Sequence, residues 1–324
     1  MTKAIVVDAI GGPEKLVWQD HELAAPGPGQ LRVRQKAVGL NFIDVYLRNG
    51  VYKAPRFPFV PGKEGAGTIV AVGEGVTSFK VGERVAYAAA DGAYAEEALV
   101  PASQAVHLPD GIDEEIAAAV MLKGMTAEYL LRRTFKVGPD TVMLFHAAAG
   151  GVGLIATQWA KHLGATVIGT AGSDEKCALA LANGCDHVIN YQTTDFVEAV
   201  KEITRGRKCD VVYDSVGQAT YPASLDCLKR LGLFVSFGQS SGMIRNFDLA
   251  VLNQKGSLFA TRPSLFAYTS TREDLEATAR SLFKVIGSGA VKIQINQTYP
   301  LQEARRAHED LEARRTTGTS VFRV

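Results

Sequence analysis

Cysteine is scarce and scattered in this chain: Cys177, Cys185, Cys209 and Cys227 stand apart, and none belongs to a CxxC pair. That excludes the usual spacing of a zinc knuckle or a redox dithiol, and leaves the thiols as small buried hydrophobes in a reducing compartment. Charge of one sign is lacking as well. The 35 basic and 34 acidic side chains leave a formal charge of +1, with no long block of either. There is thus no electrostatic footprint for nucleic acid or an anionic membrane, and neither is expected as a partner. No uninterrupted apolar stretch approaches the roughly 20 residues that span a bilayer. The first ten residues carry a lysine and an acid within their apolar run, unlike a secretion signal. A cytoplasmic protein is expected. Internal repeats and low-complexity tracts are missing too.

What is present is a globular balance, with 47% hydrophobic and 21% charged residues and 32 glycines over 324 residues. That length favours two domains. Residues 1–122 read as short β-runs (30–38, 65–72, 84–87 and 94–100) separated by glycine and proline, an irregular β domain. From 123 to 262 apolar strands at 142–145, 166–169, 187–190, 209–214 and 233–237 alternate with helices beginning near Val152, Ser173, Asp195 and Tyr221. That alternation predicts a parallel sheet covered on both faces. Beyond 262 come helical patterns at 272–286 and 301–314 and a strand-like 320–324, expected to return to the first domain and leave a cleft between the two.

The most informative segment is 141–161, where an apolar strand passes through a turn of small residues into a helix. Ala147, Gly150 and Gly153 stand in the spacing AxxGxxG. A small first residue permits the tight turn, Gly150 and Gly151 let backbone amides approach a pyrophosphate, and Gly153 lets the helix pack on the strand. The helix N-terminus, from Gly151 and Val152 onward, then stabilises the anion. NAD enzymes usually place a carboxylate at the end of the second strand, but this chain reads Gly172-Ser173-Asp174-Glu175-Lys176 there. Gly172 and Ser173 leave room and a hydroxyl, and Lys176 offers a cation to a 2′-phosphate, so NADPH is the expected cofactor. Two rivals stay open: Lys176 as a solvated residue paired with an acid, and Asp174 as a displaced ribose carboxylate.

Segments 41–46 (NFIDVY), 62–67 (GKEGAG), 146–161 (HAAAGGVGLIATQWAK), 213–217 (YDSVG) and 261–265 (TRPSL) together resemble the zinc-independent medium-chain dehydrogenases/reductases, in the quinone oxidoreductase (zeta-crystallin-like) subgroup. The resemblance spans nearly the whole chain. It implies an α/β fold, a Rossmann-type doubly wound parallel sheet plus an irregular, mainly β, GroES-like catalytic domain. The division is then residues 1–122 and 263–324 against 123–262. It also implies that Asn41 and Lys63 occupy positions where zinc-dependent relatives hold cysteine and histidine ligands, and that the four-cysteine zinc loop is absent. Without a metal to polarise a carbonyl, the fitting acceptor is one already poised for reduction, a small quinone. Rival functions are reduction of enones or enoyl thioesters and a non-catalytic NADPH-binding role, crystallin-like or RNA-binding. A homodimer is implied, with 258–261 as a candidate joining strand unless that segment is a buried core strand.

Asn41, Tyr46 and Tyr52 are the polar side chains expected around the nicotinamide and the substrate carbonyl, and the resemblance places the first two beside the cofactor. Tyrosine suits a flat acceptor because its ring is apolar and its hydroxyl donates. Tyr52 reads equally as a residue of a surface loop, and Tyr46 as part of the packing of a short helix. Carried over residue by residue, the cofactor contacts are Phe42, Tyr46, Tyr129, Gly151, Val152, Gly172, Ser173, Lys176, Tyr191, Val216, Gly238, Ser240, Ser241 and Pro263. Tyr191 alternatively packs on the sheet edge, and Arg262 either reaches the cofactor or pins the chain crossing.

Overall fold

The computed structural model describes residues 1–54 and 56–324. Contacts divide the chain into two compact units, one of Met1–Met125, Thr269–Gly287 and Ile293–Val324, the other of Thr126–Tyr268 and Ser288–Lys292. The boundaries read from the sequence, after 122 and after 262, precede these points.

The first unit opens with β1 (Thr2–Val6), β2 (Val17–His21), β3 (Gln30–Gly39), α1 (Phe42–Arg48), β4 (Gly65–Val72), β5 (Arg84–Tyr87), β6 (Glu97–Pro101) and β7 (Ala105–His107). α2 (Glu114–Tyr129) follows and runs on into a π-helical turn, Leu130–Thr134. In β3 alternate residues Leu31, Val33, Gln35 and Ala37 are buried, the period of a strand with one face on a core. That core gathers Ile5, Leu31, Val33, Ile69, Val85, Tyr87, Tyr94 and Phe322. The strand expected at 94–100 begins only at Glu97. Residues Tyr94–Glu96 instead bond to the N-terminal strand, through Ile5 N–H to the Tyr94 carbonyl at 2.8 Å and Glu96 N–H to the Lys3 carbonyl at 2.9 Å.

The second unit contains β8 (Val142–Phe145), α3 (Gly151–His162), β9 (Thr166–Ala171), α4 (Asp174–Ala182), β10 (His187–Asn190), α5 (Phe196–Ile203), β11 (Cys209–Asp214), α6 (Ala223–Asp226), β12 (Leu228–Ser236), α7 (Ala250–Gln254), β13 (Phe259–Thr261) and α8 (Leu265–Tyr268). Its strands form one sheet in the order β10-β9-β8-β11-β12-β13, and every pairing is parallel. Numbered from β8, this is the 3-2-1-4-5-6 order of a doubly wound dinucleotide fold, and its switch point lies between β8 and β11. β8 is buried throughout and packs with Ile168, Ile189, Val212, Leu225 and Phe234. β12 starts at Leu228, before the expected 233, because Leu228 pairs with Cys209 ahead of a register shift; the chain bulges through Leu231 at φ 63° and Gly232, a stretch that reads as a turn, before pairing resumes with Leu233 opposite Val211.

The chain then returns to the first unit with α9 (Arg272–Gly287), β14 (Ile295–Pro300), α10 (Ala304–Glu312) and β15 (Thr319–Arg323). Leu275, Thr278, Ala279, Leu282 and Val285 form the buried stripe of α9, the three- and four-residue spacing of a one-faced helix. Terminal β15 pairs antiparallel with β3, setting Val321 opposite Gly39. The helix read at 301–314 is shorter, a 3-10 turn at Leu301–Glu303 followed by α10.

Candidate functional site

In doubly wound sheets ligands lie beyond the carboxyl ends of the strands at the switch point. Here the turn leaving β8 is built for close approach. Ala147 takes the left-handed conformation, φ 55°, and its carbonyl accepts the Gly150 N–H at 2.9 Å. A Cβ on Gly153 would lie 2.5 Å from the carbonyl oxygens of both Ala147 and Ala148, so only glycine lets α3 sit this near the turn. α3 has Gly150 as its N-cap and no side-chain cap. Helix geometry leaves the Gly151, Val152 and Gly153 amides without an intrahelical acceptor, a cradle suited to a pyrophosphate.

Behind the turn is a buried polar network that spacing in the sequence does not reveal. His146 is 1% exposed; its Nδ1 lies 2.9 Å from Thr170 Oγ1 and its Nε2 3.0 Å from Ser224 Oγ. Ser224 Oγ donates to Asp214 Oδ2 at 2.9 Å, and Asp214 Oδ1 accepts the Val216 and Gly217 N–H groups at 2.8 and 2.9 Å. Burial lowers the His146 pKa, with the Asp214 charge opposing. A neutral imidazole that accepts from Thr170 and donates to Ser224 satisfies the whole chain. The ends of β8, β9 and β11 are thereby tied together, and the Val216 loop is held from behind. A histidine and an aspartate directly at strand ends were the available signal.

Around the end of β9, Ser173 is the N-cap of α4 and its Oγ accepts the Lys176 N–H at 3.3 Å. The same hydroxyl's hydrogen bond to Glu175 lowers that carboxyl's pKa. Asp174 Oδ1 accepts from Asn190 Nδ2 at 2.7 Å. Both acids near the prospective 2′-phosphate therefore have partners of their own. A Cβ on Gly172 would fall 2.5 Å from Tyr191 Oη, so Gly172 makes room for the exposed Tyr191 ring. Past β11 and β12 the loops touch: a Cβ on Gly238 would be 2.6 Å from the Ser215 carbonyl, Ser240 N–H reaches that carbonyl, and Ser241 Oγ donates to the Val216 carbonyl at 2.7 Å. Arg262 Nη1 donates to the Ser236 carbonyl at 2.9 Å, which pins β13 to β12 just before Pro263. Tyr129 is placed differently, at the end of α2 and buried against Tyr268 with ring centroids 4.5 Å apart; burial pushes its hydroxyl pKa up.

In the first unit Asn41, Phe42, Tyr46 and Tyr52 lie together. Asn41 caps α1, its N–H on Asp44 Oδ2 at 3.0 Å. Phe42 and Tyr46 lie 6.0 Å apart, and Tyr52 meets Tyr46 edge-on at 5.2 Å, its N–H on the Tyr46 carbonyl at 2.8 Å. Tyr52 is half-buried against the core of this unit. Asn41 Nδ2 donates to the buried Glu64 carboxylate at 2.8 Å, which also pairs with Lys123 at 3.2 Å, while Lys63 pairs with Asp91 at 2.5 Å. Among the described residues no three His, Cys, Asp or Glu side chains converge as a metal site.

Comparison with known proteins adds the family. Residues 27–110 match the alcohol dehydrogenase GroES-like domain, and residues 151–282 match the family described as zinc-binding dehydrogenase. The chain is 53% identical over 323 residues to a quinone oxidoreductase of Pseudomonas aeruginosa, covering 99% of each. It is 44% identical to a 2-haloacrylate reductase of Burkholderia, again over 99% of each. Among solved structures it is similar to Escherichia coli quinone oxidoreductase complexed with NADPH, at 50% identity and a TM-score of 0.98 over 99% of this chain and 100% of that one. With both halves matched and the switch-point turn in place, this chain belongs to the medium-chain dehydrogenase/reductase family, in its quinone oxidoreductase subgroup.

Proposed function

We propose that this chain is an NADPH-dependent quinone oxidoreductase that reduces small quinones without a metal. The observation that carries the reading is the phosphate turn at the switch point of a chain that matches quinone oxidoreductases along its length. The residues present fit the cofactor: an uncapped helix N-terminus for the pyrophosphate, and Lys176 for the 2′-phosphate beside acids that have other partners. Bound NADPH supplies the reducing equivalents.

The remaining work belongs to this chain's side chains. Gly151 and Val152 offer backbone amides, while Gly172, Ser173, Lys176 and Tyr191 take the adenosine end. Val216, Gly238, Ser240, Ser241 and Pro263 border the sugar and nicotinamide portion, with Tyr129, Phe42 and Tyr46 as further contacts. Asn41, Tyr46 and Tyr52 serve the acceptor: two rings for a planar quinone, and an amide and hydroxyls for the oxygen on which charge develops. The Glu64 carboxylate already has Asn41, Lys123 and the Leu122 N–H as donors, and this supports chemistry without zinc.

The likeness to 2-haloacrylate reductase favours a second reading, reduction of a conjugated carbon–carbon double bond in the same site. Turnover measured with NADPH on p-benzoquinone, naphthoquinones, cyclohexenone and a haloacrylate separates the two. Quinones at least tenfold better than enones in kcat/KM are expected; the reverse order establishes the second reading, and tight NADPH binding with no turnover on any of them establishes the non-catalytic one. A homodimer is part of the proposal, supported by β13, an edge strand whose Phe259 is 60% exposed and thus not a core strand. Sedimentation of a monomer at micromolar concentration would remove it. A cytoplasmic location is supported by four free thiols, three of them buried.

A further inference from the structure

Glu64 is wholly buried, and its carboxylate has three donors, one from the residue that caps α1 and two from α2: Asn41 Nδ2 at 2.8 Å, Lys123 Nζ at 3.2 Å and the Leu122 N–H at 2.6 Å. Leu122 lies inside α2, so the carboxylate takes a backbone donor from the middle of a helix. The space for it comes from Gly39, where a Cβ would be 2.0 Å from Glu64 Oε2 and 2.5 Å from the Ala118 carbonyl oxygen. A buried ion pair contributes little net stability, because desolvation offsets most of the attraction. What an apolar side chain could not do here is choose the orientation of an amide. A carboxylate is acceptor-only, so it takes the nitrogen of Asn41 and rejects its oxygen.

We propose that Glu64, with Lys123 as counter-ion, is a positioning residue for quinone reduction: it fixes the plane of the Asn41 carboxamide and keeps its second amide hydrogen available to the acceptor's carbonyl oxygen. The inference rests on the reading of Asn41 as a substrate-side group. A donor oriented before the reaction stabilises the charge that grows on the quinone oxygen, whereas without Glu64 only the capping contact of the Asn41 side chain with the Asp44 N–H would hold the amide's orientation. Glu64 touches no substrate in this scheme and acts through Asn41.

The test uses the full chain with NADPH and p-benzoquinone. Removing one charge alone leaves the other buried without compensation, so both are removed together. Glu64→Leu with Lys123→Met discards the acceptor; Glu64→Gln with Lys123→Met keeps one. The first pair is expected to slow single-turnover reduction about tenfold while NADPH affinity stays within about twofold, and the second to recover roughly threefold of that loss. Asn41→Ala should be costly in the wild type and add nothing to the Leu/Met pair. Unchanged turnover in the Leu/Met pair, or an Asn41→Ala penalty just as large on top of it, would overturn the positioning role alone. A harmless Asn41→Ala in the wild type would instead remove the reading of Asn41, and the inference with it.

Discussion

Lys176 and Asp44 are single side chains whose roles can be read from one substitution each. If the Lys176 ammonium meets the 2′-phosphate, Lys176→Ala weakens NADPH binding by on the order of 1–3 kcal/mol, the scale of hydrogen bonds to charged groups, and leaves NADH almost unaffected. The difference shrinks as salt rises, because a half-exposed pair is screened. Paired dissociation constants at two ionic strengths check it, and equal losses for both dinucleotides would assign Lys176 to the fold. Asp44 is held in the core of the first unit, where Tyr94 Oη donates to its Oδ2 at 3.1 Å and His308 Nε2 lies 3.1 Å beyond that hydroxyl. Burial, opposed mainly by the Asn41 N–H and Tyr94, pushes its pKa from 3.8 up to about 7. The unfolded chain thus loses this proton well below the pH at which the folded one does, so Asp44 costs native stability increasingly from about pH 4 to about pH 7 and levels off above. His308, driven down to about 3 by burial and by Arg48, slopes the other way up to its unfolded value, and it is present in both proteins compared. Asp44→Asn should therefore gain on the wild type as pH rises through that window in denaturant melts. A constant difference between the two would show that Asp44 does not titrate there.

At the scale of elements, the β8 turn and α3 carry the cofactor reading, and the glycine of their contact is the point to probe. Gly153→Ala sets a methyl 2.5 Å from two backbone carbonyl oxygens, so α3 must move off the turn. Overpacking of this kind costs about 1–3 kcal/mol, and displaced amides should weaken NADPH and NADH alike, unlike Lys176→Ala. Unchanged affinity for both would separate the turn from binding. This element was legible from sequence because strand, turn and helix are neighbours in the chain and their residue types are dictated locally. The network of His146, Thr170, Ser224 and Asp214 was not, since its bonds span 24, 78 and 10 residues. Nor was the insertion of Glu64 into α2, 58 residues away. Strand limits failed for a related reason: Tyr94 bonds to the N-terminal strand, and Leu228 pairs with Cys209 across a bulge in which Leu231, at positive φ, bonds to Gly256, and neither choice is local.

For the whole molecule, the order of strands in the second unit and the pairing of β15 with β3 in the first place each candidate residue on a defined frame. Of the groups proposed for the substrate side, Asn41 and Tyr46 were named through resemblance and Tyr52 through the chemistry of its side chain; spacing alone would have shown an ordinary helix cap and two tyrosines. The central claim is metal-free reduction of a quinone by NADPH, and the direct measurement is kcat/KM for NADPH and p-benzoquinone on protein dialysed against chelator, with metal content determined on the same sample. Full activity in zinc-free protein, and a strong preference for NADPH over NADH, is the predicted result. Activity that vanishes on chelation and returns with stoichiometric zinc, or that is supported equally by NADH, would contradict it.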